Sequence, residues 1–113
     1  MTANYANFYI DKGADFMALV QLVGINRIPL DLSEMRFASQ AVFPMNSRIR
    51  VPVRCRVECP RDGILRLHIP YAETERMPPG DWLYDVEMTY PGNRRMRVLQ
   101  GRLTVTDEST LGW

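Results

Sequence analysis

Two cysteines and one histidine are the residues of this sequence whose chemistry is most readily constrained. Cys55 and Cys59 lie in a stretch whose apolar residues alternate, so an extended strand places them on one face with their Cα atoms roughly 13 Å apart. A disulfide requires Cα atoms within about 7 Å of each other. The spacing therefore predicts two reduced thiols that face the core. His68 is the sole histidine, and no ligand spacing completes a zinc site around it, so we expect no metal and no cofactor.

Groups for acid, base or nucleophilic catalysis are sparse. His68 occupies an outward position of a predicted strand, and no serine or cysteine motif accompanies it. Asp85 and Glu87 point the same way from another predicted strand, which is more typical of a polar face than of a catalytic pair. Glycine-rich phosphate loops and zinc-protease motifs do not occur in the sequence. These observations predict that the chain is not an enzyme and has no small-molecule substrate.

Arginine supplies all but one of the 14 basic residues, with Lys12 the exception. The bias is typical of a GC-rich genome, and arginine also favours interfaces because its planar fork binds carboxylates. One predicted hairpin carries a basic stripe on its outer face, made of Arg50, Arg54, Arg56, Arg66 and His68, with Glu58 as the one acid. Clustered cations attract phosphates. Nucleic acid is nevertheless an unfavoured partner, because 13 acidic residues nearly cancel the basic ones and no aromatic residues are interleaved.

The segments between prolines and glycines alternate with a period of two, as half-buried strands do. The clearest runs over residues 49–59 with apolar side chains at odd positions, and after a turn at 60–63 the segment 64–69 completes a hairpin. Five further segments are predicted as strands: 7–11, 16–23, 35–43, 82–90, and 96–106, the last with Gly101 as a bulge or close-approach point. Trp82 and its alternating successors are predicted to face inward. Seven strands predict an all-β fold, an immunoglobulin-like antiparallel β-sandwich, with one short helical turn near 71–77.

A chain of 113 residues is long enough for one domain. We expect a core over about 7–106, an N-terminal arm over 1–6 and a C-terminal tail over 107–113. Hydrophobic and charged fractions of 46% and 24% and a net charge of +1 are ordinary for a globular domain. The longest apolar run, residues 16–20, is far too short to cross a bilayer, and the N-terminus lacks a signal-peptide pattern. We therefore expect no membrane partner and a cytoplasmic site of synthesis.

Three stretches carry a distinctive order of turns and strands. The first runs from Lys12-Gly13-Ala14-Asp15-Phe16 through Val20-Gln21-Leu22 to Ile28-Pro29-Leu30-Asp31-Leu32-Ser33. The second runs from Asp62-Gly63 through alternating Leu65, Leu67 and Ile69 and then Tyr71, Glu73 and Thr74 to Met77-Pro78-Pro79-Gly80-Asp81-Trp82 and Tyr84-Asp85-Val86. The third begins at Gly92 and continues from Arg97-Val98-Leu99 through Gly101 to Leu103-Thr104-Val105-Thr106. Together they resemble a small β-sandwich domain of tailed bacteriophages, the type found at the N-terminus of phage baseplate upper proteins. The sequence departs from that pattern at Ser33-Glu34, where a turn glycine is expected. It also ends at Trp113, which favours a connector or decoration unit over a receptor-binding protein.

The resemblance implies a non-enzymatic structural protein of a tailed-phage virion, in the tail, baseplate or neck. Such a protein is assembled in the host cytoplasm and contacts other virion proteins, in several copies within a symmetric assembly. A capsid decoration protein is the alternative in the same class, and a nucleic-acid-binding factor that uses the arginine hairpin is the alternative in another. Terminal segments are commonly disordered, so both disorder and anchoring in a neighbour are open for the two ends. The interface candidates are Tyr5, Phe8, Tyr9, Arg50, Arg54, Arg56, Arg66, Leu111 and Trp113.

Overall fold

Strands make up most of the chain in the computed structural model, which describes residues 4–107. The strands in that range are β1 (Asn4–Tyr5), β2 (Phe8–Asp11), β3 (Phe16–Gln21), β4 (Arg36–Val42), β5 (Arg50–Cys59), β6 (Ile64–Ile69), β7 (Gly80–Thr89) and β8 (Arg95–Thr106). One helical turn, α1 (Tyr71–Thr74), follows β6, so the helical turn predicted near 71–77 is present but shorter. The all-β prediction is confirmed. Within the described residues no helix has the length and apolar character that a bilayer crossing requires.

The strands form a curled sheet of mixed direction. Their order is β1-β8-β7-β4-β5-β6-β3, and β2 also pairs with β8. Both β1 and β2 run parallel to β8, whereas the remaining pairs are antiparallel. The prediction of a wholly antiparallel fold is wrong for these two pairs, and about seven strands were predicted where the described residues form eight. A parallel neighbour needs a long crossover connection, and here the whole chain between β2 and β8 provides it.

β5 is the strand about which the sheet curls, because it changes partner along its length. Its first half pairs with β4 as far as Val53, opposite Ser39, and its second half pairs with β6 from Arg54, opposite His68. A register shift between Val57 and Cys59 then interrupts the alternation of inward and outward side chains along β5. The two halves of the sheet consequently share one core.

That core is built by the inward positions that the alternation predicts. The side chains of β6 and β7 at these positions are almost completely buried, and they are Leu65, Leu67, Ile69, Trp82, Tyr84, Val86 and Met88. Trp82 has no exposed surface, its ring centroid lies 5.2 Å from that of Phe43, and its indole Nε1 donates a hydrogen bond to the Pro78 carbonyl at 3.0 Å. The corner at Pro78-Pro79-Gly80 therefore closes directly over the largest core side chain.

α1 ties the end of β6 to the loop before β3. Its buried Thr74 Oγ1 accepts a hydrogen bond from the Gly13 amide at 3.1 Å and donates one to the Ala14 carbonyl at 2.8 Å. The Asp15 carboxylate accepts a hydrogen bond from the Tyr71 amide at 2.7 Å, which satisfies one of the free amides at the start of the helical turn. Side chains distant in sequence thus hold this loop, and with it the first residue of β3.

Candidate protein-interaction surfaces

The candidate catalytic groups lie on different parts of the sheet. His68, on β6, has its Nε2 atom 3.9 Å from Asp15 Oδ1. Asp85, on β7, has its Oδ2 atom 3.2 Å from Arg97 Nε on β8. Across residues 4–107 no group of three or more histidine, cysteine, aspartate or glutamate side chains is placed to hold a metal ion. The structure therefore pairs these groups with neighbouring side chains and does not gather them.

Three of the four predicted stripe arginines share one outer face of the hairpin formed by β5 and β6. Arg56 lies directly opposite Arg66, and Arg54 lies opposite His68. Like charges directly opposite each other are destabilising, and Glu58 offsets this pair because its Oε1 lies 2.8 Å from Arg66 Nε. Arg54 and Arg56 form no ion pair or side-chain hydrogen bond with any residue in the described range.

Arg50 is exposed in the same alternation as Arg54 and Arg56, but its neighbouring strand is different. It lies in the half of β5 that pairs with β4, and its Nε donates a hydrogen bond to the Ser47 carbonyl at 2.9 Å. The predicted stripe of arginines therefore runs along β5 as expected, with Arg50 beside β4 and Arg54 and Arg56 beside β6. Simple alternation along β5 could not reveal which strand lies beside Arg50, because β5 changes partner between Val53 and Arg54.

The N-terminal aromatic residues divide into two exposed rings and one packed ring. Tyr5 and Tyr9 are 75% and 78% exposed. Phe8 is half-buried, with its ring centroid 5.7 Å from that of Phe16 and 6.3 Å from that of Tyr84. Phe8 thus packs against the core, unlike its prediction as an exposed interface side chain, because β2 pairs with β8 and turns every second side chain inward. Leu111 and Trp113 lie outside the described residues.

A groove of about 650 Å³ crosses the outer face of β1, β8, β7 and β4. Two rows of cross-strand neighbours line most of it: Val42, Leu83 and Arg102 in one row, and Gln40, Asp85, Gln100 and Tyr5 in the other. Leu83 is 55% exposed. We call this set of residues, with Asn7 and Arg97, the groove.

Charged pairs lie beside the apolar side chains of the groove. Arg97 contacts Asp85 and has its Nη1 atom 3.4 Å from Gln100 Oε1. Arg102 has its Nη1 atom 3.9 Å from Asp81 Oδ2. These arginine side chains are more than half exposed, so each can exchange its present partner for a group on another molecule at little cost.

The sequence prediction included Tyr5 but missed the rest of the groove. Leu83 carried a usable signal, since it is an apolar residue at an outward position of β7, between Asp81 and Asp85. The other side chains come from strands that only the fold brings together. Their positions could not be obtained without the pairing of β1 with β8 and of β4 with β7.

The groove floor depends on a close approach between β8 and the segment after β1. The Ala6 amide donates a hydrogen bond to the Gln100 carbonyl, and the Ala6 carbonyl accepts one from the Tyr84 hydroxyl at 2.7 Å. A Cβ atom on Gly101 would collide with the Ala6 carbonyl oxygen. The close approach predicted at Gly101 is confirmed, whereas the register shift of this strand pair lies nearer the start of β8.

Replacing Tyr84 with phenylalanine is expected to lower the free energy of unfolding by about 1–2 kcal/mol, because the Ala6 carbonyl loses its hydroxyl donor. Burial raises the pKa of Tyr84 to about 12, above the value of about 10 in unfolded chains. The unfolded state therefore releases this proton first, and stability falls as the pH rises from 10 to 12. Denaturant titrations across that range should show this fall in the wild type and a smaller one in the variant. Equal slopes for both proteins would contradict the assignment.

The two cysteines are expected to differ in reactivity, because only one of them is shielded. Burial raises the pKa of the Cys55 thiol to about 11, whereas Cys59 is exposed after the register shift of β5. The prediction of two core thiols is thus corrected for Cys59, and both sulfurs are free. Since the thiolate is the nucleophile, iodoacetamide at pH 8 should alkylate Cys59 at least about tenfold faster than Cys55. The Cys59→Ser variant should lose the fast phase, and equal rates would contradict the expectation.

Comparison with known proteins finds similar chains among the solved structures only. No protein-family model and no curated protein matches the sequence. Among solved structures, the chain is similar to a family 123 glycoside hydrolase from Clostridium perfringens, studied for glycolipid glycan hydrolysis, with a TM-score of 0.41 and 9% identity. The match covers 95% of this chain and 24% of that chain, so this chain spans about a quarter of the length of the hydrolase.

This match corrects the prediction about enzymatic activity. The sequence predicted that the chain is not an enzyme, and the solved structure that it resembles belongs to one. That exclusion is therefore withdrawn. A likeness at this TM-score and identity supports no argument for a shared reaction or substrate.

Proposed function

We propose that this chain is a structural component of a tailed-phage virion, located in the tail, baseplate or neck and acting through contacts with other virion proteins. The observation that best supports this proposal is the groove, where the exposed side chains of Tyr5 and Leu83 lie among arginine side chains. Aromatic and arginine side chains are enriched at protein interfaces, where a few of them supply most of the affinity, and Leu83 adds exposed apolar area beside them. The sequence resemblance to the N-terminal domain of baseplate upper proteins supports the choice of virion.

We further propose that the fold is an immunoglobulin-like sandwich. β5 divides the sheet into one half with β4, β7, β8, β1 and β2, and another with β6 and β3. Both halves contribute to one cluster of buried side chains, which includes Val105 and Trp82 from the first half and Leu67 and Phe16 from the second. A shared core between two strand groups is the arrangement expected of two packed layers.

The proposal is tested by incorporation into particles. A phage deleted for this gene is complemented with the wild type, with a Tyr5→Ser/Leu83→Ser variant, or with Met45→Ser. Met45 is 86% exposed and lies outside the groove, so it is the matched control. Particles are purified on a density gradient, and the copy number of the chain is measured by mass spectrometry. We expect the groove variant to reduce incorporation at least about tenfold, as loss of an interface hot spot would.

The alternative outcomes are distinct. Absence of the wild-type chain from purified particles, or normal incorporation of the groove variant, would contradict the proposal. Electron microscopy of labelled particles should place the chain in the tail, baseplate or neck, and a position on the capsid shell would instead identify a decoration protein. A salt-sensitive gel shift that disappears when Arg50, Arg54, Arg56 and Arg66 become alanine would favour nucleic-acid binding.

A further inference from the structure

The outer edge of β3 lacks the features that keep edge strands from pairing. β3 pairs with β6 on one side, and its residues make no backbone hydrogen bond outside that ladder within the described residues. All six residues of the strand are uncharged. Proteins protect exposed edges with charged side chains, proline or bulges. An edge with none of these is available to another strand.

The opposite edge of the same half-sheet shows the contrast. After Val53, β5 no longer pairs with β4, so its second half is also an edge. That edge carries Arg54, Arg56 and Glu58, and the register shift follows Val57. One edge of this half-sheet is therefore protected by charge and irregularity, and the edge at β3 is not.

Apolar surface is exposed on both faces of β3. Met17 and Leu19 point outward and are 55% and 64% exposed, and with Ala18 and Arg66 they line a notch of about 170 Å³. The inward residues Ala18 and Val20 are only half-buried. Their cross-strand neighbours on β6 are completely buried. A strand added at this edge would cover apolar surface on each side.

We propose that β3 pairs antiparallel with β3 of a second copy of this chain, about a two-fold axis. The inference deepens the proposed function, on which it rests for a multi-copy assembly, by naming one partner. The charge of the strand favours a second copy of β3 as the partner of this edge, because two copies of an uncharged strand can pair without placing like charges opposite each other. Self-pairing along the second half of β5 would set arginines against one another.

Side-chain direction limits the register of this pairing. Directly opposite residues in an antiparallel pair point to the same face, so inward residues must meet inward residues. A two-fold axis through Ala18 satisfies this and sets Met17 opposite Leu19 of the second copy, and Phe16 opposite Val20. In this register Met17 and Leu19 of each copy lie beside the notch of the other copy.

The dimer should be weak. Pairing five or six residues from each chain buries less than the roughly 1,200–2,000 Å² of stable complexes. We therefore expect a dissociation constant of roughly 10–100 µM. Within a multi-copy particle the effective concentration is higher, so such a contact is sufficient to orient neighbouring copies.

The test is sedimentation of the purified full chain from about 1 to 500 µM, with Leu19→Lys as the disrupting variant. Lysine at this position places a charge on the edge beside Arg66, and because Leu19 is mostly exposed the fold should tolerate it. Leu19→Glu, which sets a carboxylate beside Arg66, is the second variant. Met45→Lys adds the same charge to an exposed residue outside β3 and is the control. Circular dichroism verifies that each variant is folded.

We expect concentration-dependent dimers for the wild type and for Met45→Lys, and a dissociation constant at least tenfold higher for both Leu19 variants. Hydrogen exchange of residues 16–21 should slow as wild-type concentration rises. A monomer at 500 µM, or dimers indifferent to both Leu19 changes, would overturn the inference. Incorporation into particles is measured separately with the groove variant, so failure of one experiment is distinguishable from failure of the other.

Discussion

Replacing Trp82 with alanine is expected to lower the free energy of unfolding by about 3–5 kcal/mol, the range for truncating a buried large aromatic side chain. Trp82 is completely buried, its ring packs against Phe43, and its Nε1 hydrogen bonds to the Pro78 carbonyl. The alanine variant therefore leaves a cavity and an unpaired carbonyl at the same corner. A domain of this size has a total stability of about 5–15 kcal/mol, so the loss is a large part of it.

Urea denaturation monitored by circular dichroism measures this effect. Trp82→Phe is the informative comparison, because it keeps an aromatic ring and removes the hydrogen bond to Pro78. We expect it to cost about 1–3 kcal/mol, clearly less than alanine. An alanine variant that loses under about 1 kcal/mol would show that the corner does not depend on this side chain.

The inward row of β7 illustrates what could be predicted from sequence. Trp82, Tyr84, Val86 and Met88 alternate with mostly polar neighbours, and all four are buried. The same holds for Leu65, Leu67 and Ile69 on β6. Burial on one face of a strand has a period of two, and that period is written directly in the residue order. The all-β class followed from this local pattern.

What could not be predicted depends on pairing between distant segments. β1 has two residues and therefore no measurable period, yet it pairs with β8 and supplies Tyr5 to the groove. Arg50 lies beside β4 and Arg54 beside β6, because β5 changes partner between them. The exposure of Cys59 arises from a register shift that has no signature in the residue types. Each of these is set by long-range geometry.

The two proposed surfaces illustrate a signal that local patterns do contain. Leu83 on β7, and Met17 with Leu19 on β3, are apolar residues at outward positions of alternating strands. The core does not use these side chains, since all three are more than half exposed. In both proposals these outward apolar residues are the part of the surface that the residue order alone contains, and they do not identify the partner.

Replacing Gly101 with alanine is expected to separate β1 from β8 and to lower the free energy of unfolding by about 2–4 kcal/mol. The added methyl group would collide with the Ala6 carbonyl oxygen, and the Ala6 carbonyl carbon and Asn7 Oδ1 would lie 2.8 and 2.9 Å from it. Two of these neighbours are backbone atoms, so the strand must move. That movement breaks the hydrogen bonds of Ala6 with Gln100 and Tyr84, and Tyr5 leaves the groove with it.

Three measurements check this expectation. Hydrogen exchange of residues 4–6 should become fast in Gly101→Ala. It should be unchanged in Met45→Ser, the control, because Met45 is 86% exposed and lies outside the groove. Tyr84→Phe should cost much less in the Gly101→Ala background than alone, since the bond to Ala6 is already broken; additive costs would contradict the coupling. Gly101→Ala should also match the groove variant in particle incorporation, because both remove Tyr5 from the same surface.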